Sequence, residues 1–148
     1  QPVEPGTAEE GGEATCTFSI SCATILDNMD RCDERKRDLV PEDGWLLPET
    51  EVTFTIGESV FDVLQRVCKD NGIPMEFNWT PLYNSAYIEG IGNLYEFDVG
   101  EGSGWNYAVN GWFPNYGCSR YALADGDTVE WKYTCDLGND VGGGNLGD

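Results

Sequence analysis

One segment of this chain carries a complete set of helix signals, and the sequence on either side of it alternates with a period of two. Ser59 fits an N-cap, and Asp62, three positions on, can return the hydrogen bond. That reciprocal arrangement satisfies the first orphaned N–H groups of a helix. Gly72 follows as a left-handed C-terminal residue, and Pro74 forbids continuation. Between these signals Val60, Phe61, Leu64, Val67 and Cys68 share one face, while Asp62, Gln65, Arg66 and Lys69 lie mostly elsewhere. The spacing predicts a helix over 60–71 that rests on a sheet through one apolar stripe.

The flanking segments read as strands. Over 15–23, Phe18, Ile20 and Cys22 alternate with Thr17, Ser19 and Ser21; over 51–56, Val52, Phe54 and Ile56 alternate with Thr53 and Thr55. A polar connection of mixed charge lies between them, punctuated by Pro41, Gly44 and Pro48. Beyond the helix, short strands are expected at 75–79, 86–91, 94–97, 105–109 and 127–134. Asn110-Gly111 is a tight-turn signal between 105–109 and Trp112-Phe113, which predicts a hairpin. The order of strand, strand, helix and further strands defines an α+β chain. It is expected to form a β-grasp-like two-layer sandwich, one main helix packed on a mixed sheet with an extra β-hairpin. In a β-grasp the first and last strands are central neighbours. Inward-facing Cys22 and helix-facing Cys68 could then meet across the core as a disulfide, one of several pairings that six cysteines allow.

The ends differ from the middle. Residues 1–15 hold four Glu and no basic residue among Gly, Ala and Pro, and read as a flexible acidic tether. Residues 16–135 form the expected domain, and 136–148 a Gly-rich tail. No apolar run approaches the about 20 residues of a membrane-spanning helix, so no membrane insertion is expected of this segment. A secreted or surface-anchored protein whose targeting segment has been trimmed would begin in this way.

Charge and residue usage narrow the chemistry. Eight Lys and Arg against 27 Asp and Glu give a net charge of −19, which opposes nucleic acid and anionic membrane surfaces. The chain has no histidine, which removes Ser-His-Asp and Cys-His nucleophilic sites and any His-containing zinc site. The expectation is a non-catalytic module with no metal and no cofactor of its own. Cys16, Cys22, Cys32, Cys68, Cys118 and Cys135 are dispersed without a Cys-x-x-Cys pair. They fit disulfides in an oxidising setting, or free buried thiols. Calcium loops of the EF-hand kind are missed, because Met29 and Gly138 occupy places that need oxygen ligands. Glu96 with Asp98, and Asp125 with Asp127, are spaced as carboxylate pairs but read as surface solvation. Asn78-Trp79-Thr80 matches an N-glycosylation acceptor.

The most informative stretch is 103–118, where aromatics interleave with amides and glycines. Trp105, Asn106, Tyr107, Asn110, Trp112 and Tyr116 are the candidate ligand-binding residues. Trp105 and Trp112 would stack on a flat molecule, and Asn106 and Asn110 would orient its polar edges. The alternative is that Trp105 and Tyr107 are sheet core with Trp112 and Tyr116 covering an edge. Trp79, Tyr83, Tyr87 and Tyr95 make a second aromatic group that alternates with polar residues in expected strands.

Several motifs together resemble an uncharacterised bacterial domain family. They are Cys22-Ala23-Thr24-Ile25-Leu26-Asp27-Asn28, Gly57-Glu58-Ser59-Val60-Phe61-Asp62-Val63-Leu64, Tyr83-Asn84-Ser85-Ala86-Tyr87-Ile88, Ser103-Gly104-Trp105 and Asp125-Gly126-Asp127. Members of that family occur in secreted and cell-surface proteins, chiefly of Gram-positive gut bacteria. The family in turn resembles the C-terminal β-domain of transcobalamin and intrinsic factor, the vitamin B12 carriers. In the carriers a Trp-Gln-Leu-Leu run touches the corrin ring. Trp105 keeps the aromatic of that run, Asn106 stands for its Gln, and Tyr107 and Ala108 replace the leucines. The resemblance implies an extracellular module for a corrinoid or another flat small molecule. The alternative from a different class is a cell-surface interaction or spacer domain that binds proteins or glycans.

Overall fold

The computed structural model describes residues 12–81 and 84–142. The chain runs β1 (Glu13–Ser21), α1 (Ala23–Leu26), β2 (Trp45–Thr55), α2 (Val60–Asp70), β3 (Met75–Thr80), β4 (Ser85–Ile91), β5 (Leu94–Tyr95), β6 (Gly104–Val109) and β7 (Thr128–Thr134). Short 3-10 turns lie at Glu34–Leu39, Cys118–Arg120 and Asn139–Val141. Among the described residues the architecture is α+β, with two sheets, few helices and no closed barrel. Tyr83 and most of the acidic stretch 1–15 lie outside the described residues.

The larger sheet has the order β2-β1-β7-β6. First and last strands are therefore neighbours at its centre, and they run parallel, with Phe18 opposite Val129 and Ile20 opposite Trp131. β2 joins β1 antiparallel on one side and β6 joins β7 antiparallel on the other. β1 earns its central place through Phe18 and Ile20, which are fully buried; Ser19, on the opposite face, is buried as well. β2 begins at Trp45, six residues earlier than the alternation indicates, and takes in Pro48. The register slips between Phe18 and Ile20, where Pro48 lies across from β1. A proline is tolerated there because β2 is an outer strand and the slip removes the need for its N–H.

The smaller sheet, β3-β4-β5, is antiparallel. Its last strand is only Leu94–Tyr95, because Phe97 leaves the extended region with a φ of 72°. The hairpin expected after Asn110-Gly111 does not form a second strand. Val109 and Trp112 make a single bridge, and β6 pairs with β7 instead.

Helix α2 follows its sequence signals closely. The Ser59 N–H donates to Asp62 Oδ2 at 2.9 Å, and the Asp62 N–H donates to Ser59 Oγ at 3.1 Å. Gly72 adopts a φ of 65° after the last turn. The expected stripe is buried, with Val63 added to it, and it belongs to one continuous core shared with both sheets. Phe61 meets Phe77 of β3 edge to face at 4.7 Å.

All six cysteines are free thiols, Cys22 and Cys68 included. Cys22 sits at the β1–α1 junction, and the thiols that interact with it are Cys135 and Cys32. Burial pushes the Cys68 thiol up to about 12. The Cys22–Cys68 pairing is thus replaced by separate buried thiols.

Candidate functional site

The two sheets meet along a seam where β4 faces β6, and the seam opens into two adjoining clefts. The first, of about 160 Å³, lies between Ala86, Tyr87 and Ile88 of β4 and Trp105, Asn106 and Tyr107 of β6. Pro114, Tyr116, Gly117 and Cys118 close one side, and Trp131 of β7 is part of its wall. The second, of about 240 Å³, shares Tyr87, Trp105 and Asn106 with the first and continues past Glu96, Phe97, Glu101, Ser103, Thr134 and Leu137. Shared walls make the two a single trough.

Along β6, Trp105 and Tyr107 turn inward and are each 8% exposed, while Asn106 is half-buried. Trp105 donates its indole N–H to the Leu94 carbonyl at 2.9 Å, and Tyr133 donates its hydroxyl to the Tyr95 carbonyl at 2.8 Å. Both bonds run from the larger sheet to the smaller and fix the width of the seam. On the far side, Ala86 donates its N–H to Ser119 Oγ at 2.9 Å. The Tyr107 hydroxyl donates to the Tyr116 carbonyl at 2.7 Å and so holds the 114–118 segment over the first cleft. Gly117 allows the close approach: a Cβ there would stand 2.4 Å from Ser85 Cβ.

Of the six sequence-derived candidates, Trp105, Asn106, Tyr107 and Tyr116 line the trough. Asn110 and Trp112 do not. Asn110 takes a left-handed turn with a φ of 54°, donates to Asp127 Oδ1 at 2.9 Å and accepts from the Thr128 N–H at 2.8 Å. Its side chain is committed to pinning β6 to β7. Trp112 packs behind the trough, against Tyr116 at 6.3 Å and Tyr121 at 6.2 Å.

Four contributors lie outside the six sequence-derived candidates, Tyr87 among them although the sequence places it in the second aromatic group. Tyr87 carries its ring on the trough rim, 47% exposed, with its hydroxyl donating to Glu96 Oε1 at 2.9 Å. Phe97 and Leu137 border the second cleft. Trp131 matters for a different reason. Its indole N–H is the buried side-chain N or O atom left without a hydrogen-bond partner among the described residues. An unpaired buried donor costs roughly 1–3 kcal/mol, so an acceptor brought to it would be favoured.

Electrostatics separate the two halves. In the first cleft burial pushes the Cys118 thiol up to about 12 and raises the Tyr107 hydroxyl too. Tyr87 rises to about 12 through burial and the Glu96 carboxylate beside it. These groups are neutral at physiological pH, and Cys118 is no nucleophile there. The second cleft holds Glu96 and Glu101 and no Lys or Arg among the residues that line it. Of the carboxylates paired by spacing, only Glu96 lines the trough, and the other three are engaged elsewhere. Asp98 accepts from Lys36 at 3.0 Å and from the Tyr95 N–H at 2.8 Å; Asp125 accepts from the Thr15 N–H and Asp127 from the Ala124 N–H. Among the described residues no three His, Cys, Asp or Glu side chains gather as a metal-binding group, and no helix is long and apolar enough to cross a membrane.

Two sheets, one long helix and an aromatic trough along their seam define an α+β module of the kind that presents a cleft at the meeting of two layers. The chain belongs to the family described as a domain of unknown function, DUF4430, whose model matches residues 57–135, just over half its length. The matched stretch contains the whole first cleft. A crystal structure of haptocorrin in complex with Cbi has a similar fold, with a TM-score of 0.63 over 88% of this chain at 15% identity. This chain spans 27% of that structure's length. A protein from Ruminococcus gnavus ATCC 29149, provisionally described as metal-binding, aligns over 84% of this chain and 97% of its own, at 16% identity and a TM-score of 0.42. No curated protein sequence matches the chain. The resemblance read from the motifs, to a domain of unknown function with a transcobalamin-like fold, is borne out.

Proposed function

We propose that this chain is a non-catalytic, extracellular ligand-binding module that holds a flat small molecule in the trough, and that a corrinoid is the ligand to try first. The observation that carries the reading is the Trp131 donor. Trp131, whose buried indole N–H has no hydrogen-bond partner among the described residues, lines the same cleft as Trp105, Tyr107 and Tyr116. A ligand with an apolar plane and a carbonyl or amide edge satisfies both features. The fold likeness to haptocorrin supports the corrinoid choice. In this reading the larger sheet, with its parallel first and last strands, is a β-grasp, and the trough marks where a partner domain would close over the ligand.

The test is a calorimetric titration of the folded protein with cobalamin and with cobinamide, with tryptophan fluorescence followed in parallel. Saturable heat and quenching are expected, with affinity lowered about 5- to 10-fold by Tyr116→Ala or Asn106→Ala. No heat and no quenching with either compound would remove the corrinoid reading. A second reading, capture of surface proteins or glycans, draws on the outer strand β3. That strand exposes Phe77 at 40% and Trp79 at 47%.

A further inference from the structure

Two residues far apart in sequence border the second cleft in the same unusual state. Phe97, just after β5, has a φ of 72°, and Leu137, just after β7, has a φ of 51°. The other described non-glycine residues with positive φ are Asn84, Asn93 and Asn110, the residue type that tolerates this conformation. A phenylalanine and a leucine do not. They are also the most exposed large apolar side chains described, at 64% and 72%. Steric strain and exposed apolar surface, each unfavourable alone, are thus concentrated on one cleft.

Backbone bonds hold both residues to the same short segment. The Phe97 N–H donates to the Ser103 carbonyl at 3.0 Å, and the Leu137 N–H donates to the Gly102 carbonyl at 2.8 Å. Leu137 comes this near because Gly102 has no side chain: a Cβ there would stand 3.2 Å from Leu137 Cγ. The two apolar groups therefore border a cleft lined also by Glu96 and Glu101 and by no Lys or Arg; the Arg31 guanidinium lies outside that lining, against Gly100, and donates to the Cys135 carbonyl.

We propose that the second cleft is a binding site for an organic cation with an apolar body, an aryl-alkyl or alkyl ammonium group. Phe97 and Leu137 cover the apolar part, and Glu101 and the free oxygen of Glu96 meet the charge. The charge complementarity is local to the cleft and matches the net charge of −19. This site shares Tyr87, Trp105 and Asn106 with the corrinoid reading, but it does not require a corrinoid to bind.

The experiment titrates the full chain with 4-phenylbutylamine, and separately with methylamine, following backbone amide resonances by NMR. Saturable shifts at Phe97, Glu101 and Leu137 are expected with the arylalkyl amine, at an affinity well above that of methylamine. Phe97→Asn is expected to weaken it about tenfold while melting no lower than wild type, since asparagine suits the left-handed backbone. Glu101→Gln is expected to weaken it about two- to fivefold. Equal binding of methylamine would reduce the effect to general attraction by an acidic surface and overturn the proposal. So would the absence of saturation, or a Phe97→Asn variant that binds as wild type does. Amine binding without corrinoid binding would leave this site standing and remove the reading above; corrinoid binding without amine binding would do the reverse.

Discussion

The indole N–H of Trp105 donates to the main-chain carbonyl of Leu94 at 2.9 Å, from the outer strand of the larger sheet to the last strand of the smaller one. The residue that the sequence marks as a ligand-stacking aromatic therefore has its polar end committed to holding the seam. What remains for a ligand is the exposed fringe of its ring.

That bond predicts a large structural cost for a conservative change. Trp105→Phe loses the cross-sheet hydrogen bond and part of a buried ring that meets Tyr133 edge to face at 5.2 Å. A loss of about 2–4 kcal/mol is expected in urea unfolding. A loss below about 0.5 kcal/mol would show that the two sheets are held together elsewhere. For this reason Tyr116 and Asn106, rather than Trp105, are the positions for probing binding.

The turn after β6 gives a prediction with an internal control. Asn110→Gly keeps the left-handed backbone and loses the two side-chain bonds to Asp127 and Thr128. Asn110→Ala loses the bonds and adds the backbone strain. Alanine should be the worse of the two by roughly 1 kcal/mol. Equal losses would mean that the side-chain bonds alone matter.

The capping box of α2 is separate from the trough. Ser59→Ala should lower stability by about 1 kcal/mol and leave ligand affinity unchanged, read by thermal unfolding and the same titrations. A change in affinity would tie the helix N-terminus to the site.

Stability should decline at alkaline pH for a definite reason. Burial raises Cys16 to about 11 and Cys22, Cys68 and Cys118 to about 12, against a usual thiol value of 9.0. A group raised on folding contributes fully below its unfolded value, and the contribution is lost as pH climbs toward the folded one. Stability should therefore hold up to about pH 9 and fall between about 9 and 12. At the acid end, Arg35 holds Asp33 down to about 2, and Glu58, with burial acting against it, is lowered by Arg66 and the Thr55 N–H. Those two contributions are present above the ordinary carboxylate range and are lost as pH falls through it. With no histidine in the chain, the interval between should be nearly flat, as chemical denaturation at a series of pH values would show. A marked drop between about pH 6 and 8 would contradict this assignment.

The helix and most strands were legible because their signals are local. The Ser59–Asp62 box, Gly72 and Pro74 bound α2, and Val129, Trp131 and Tyr133 mark β7 by alternation alone. Pairing was harder to read. The Asn110-Gly111 signal correctly marked a turn, but β7 competed for the edge of β6 and won, so no hairpin strand followed. Half the trough stayed hidden for the same reason. In the sequence Phe97 ends an expected short strand and Leu137 falls in the glycine-rich tail. Only the fold brings both to Gly102 and Ser103. Trp131 was legible as core, but the missing partner of its indole N–H depends on every neighbour at once.

The most direct measurement of the central claim is an NMR titration of the labelled chain with cobinamide, reading backbone amides and the five tryptophan indoles. The account predicts saturable shifts at Tyr87, Trp105, Asn106 and Tyr116, with the Trp131 indole proton moving downfield as it gains an acceptor and the Trp45 and Trp79 indoles unmoved. Shifts confined to Phe77 and Trp79 on β3, or a Trp131 resonance that stays in place while the ligand saturates, would contradict it.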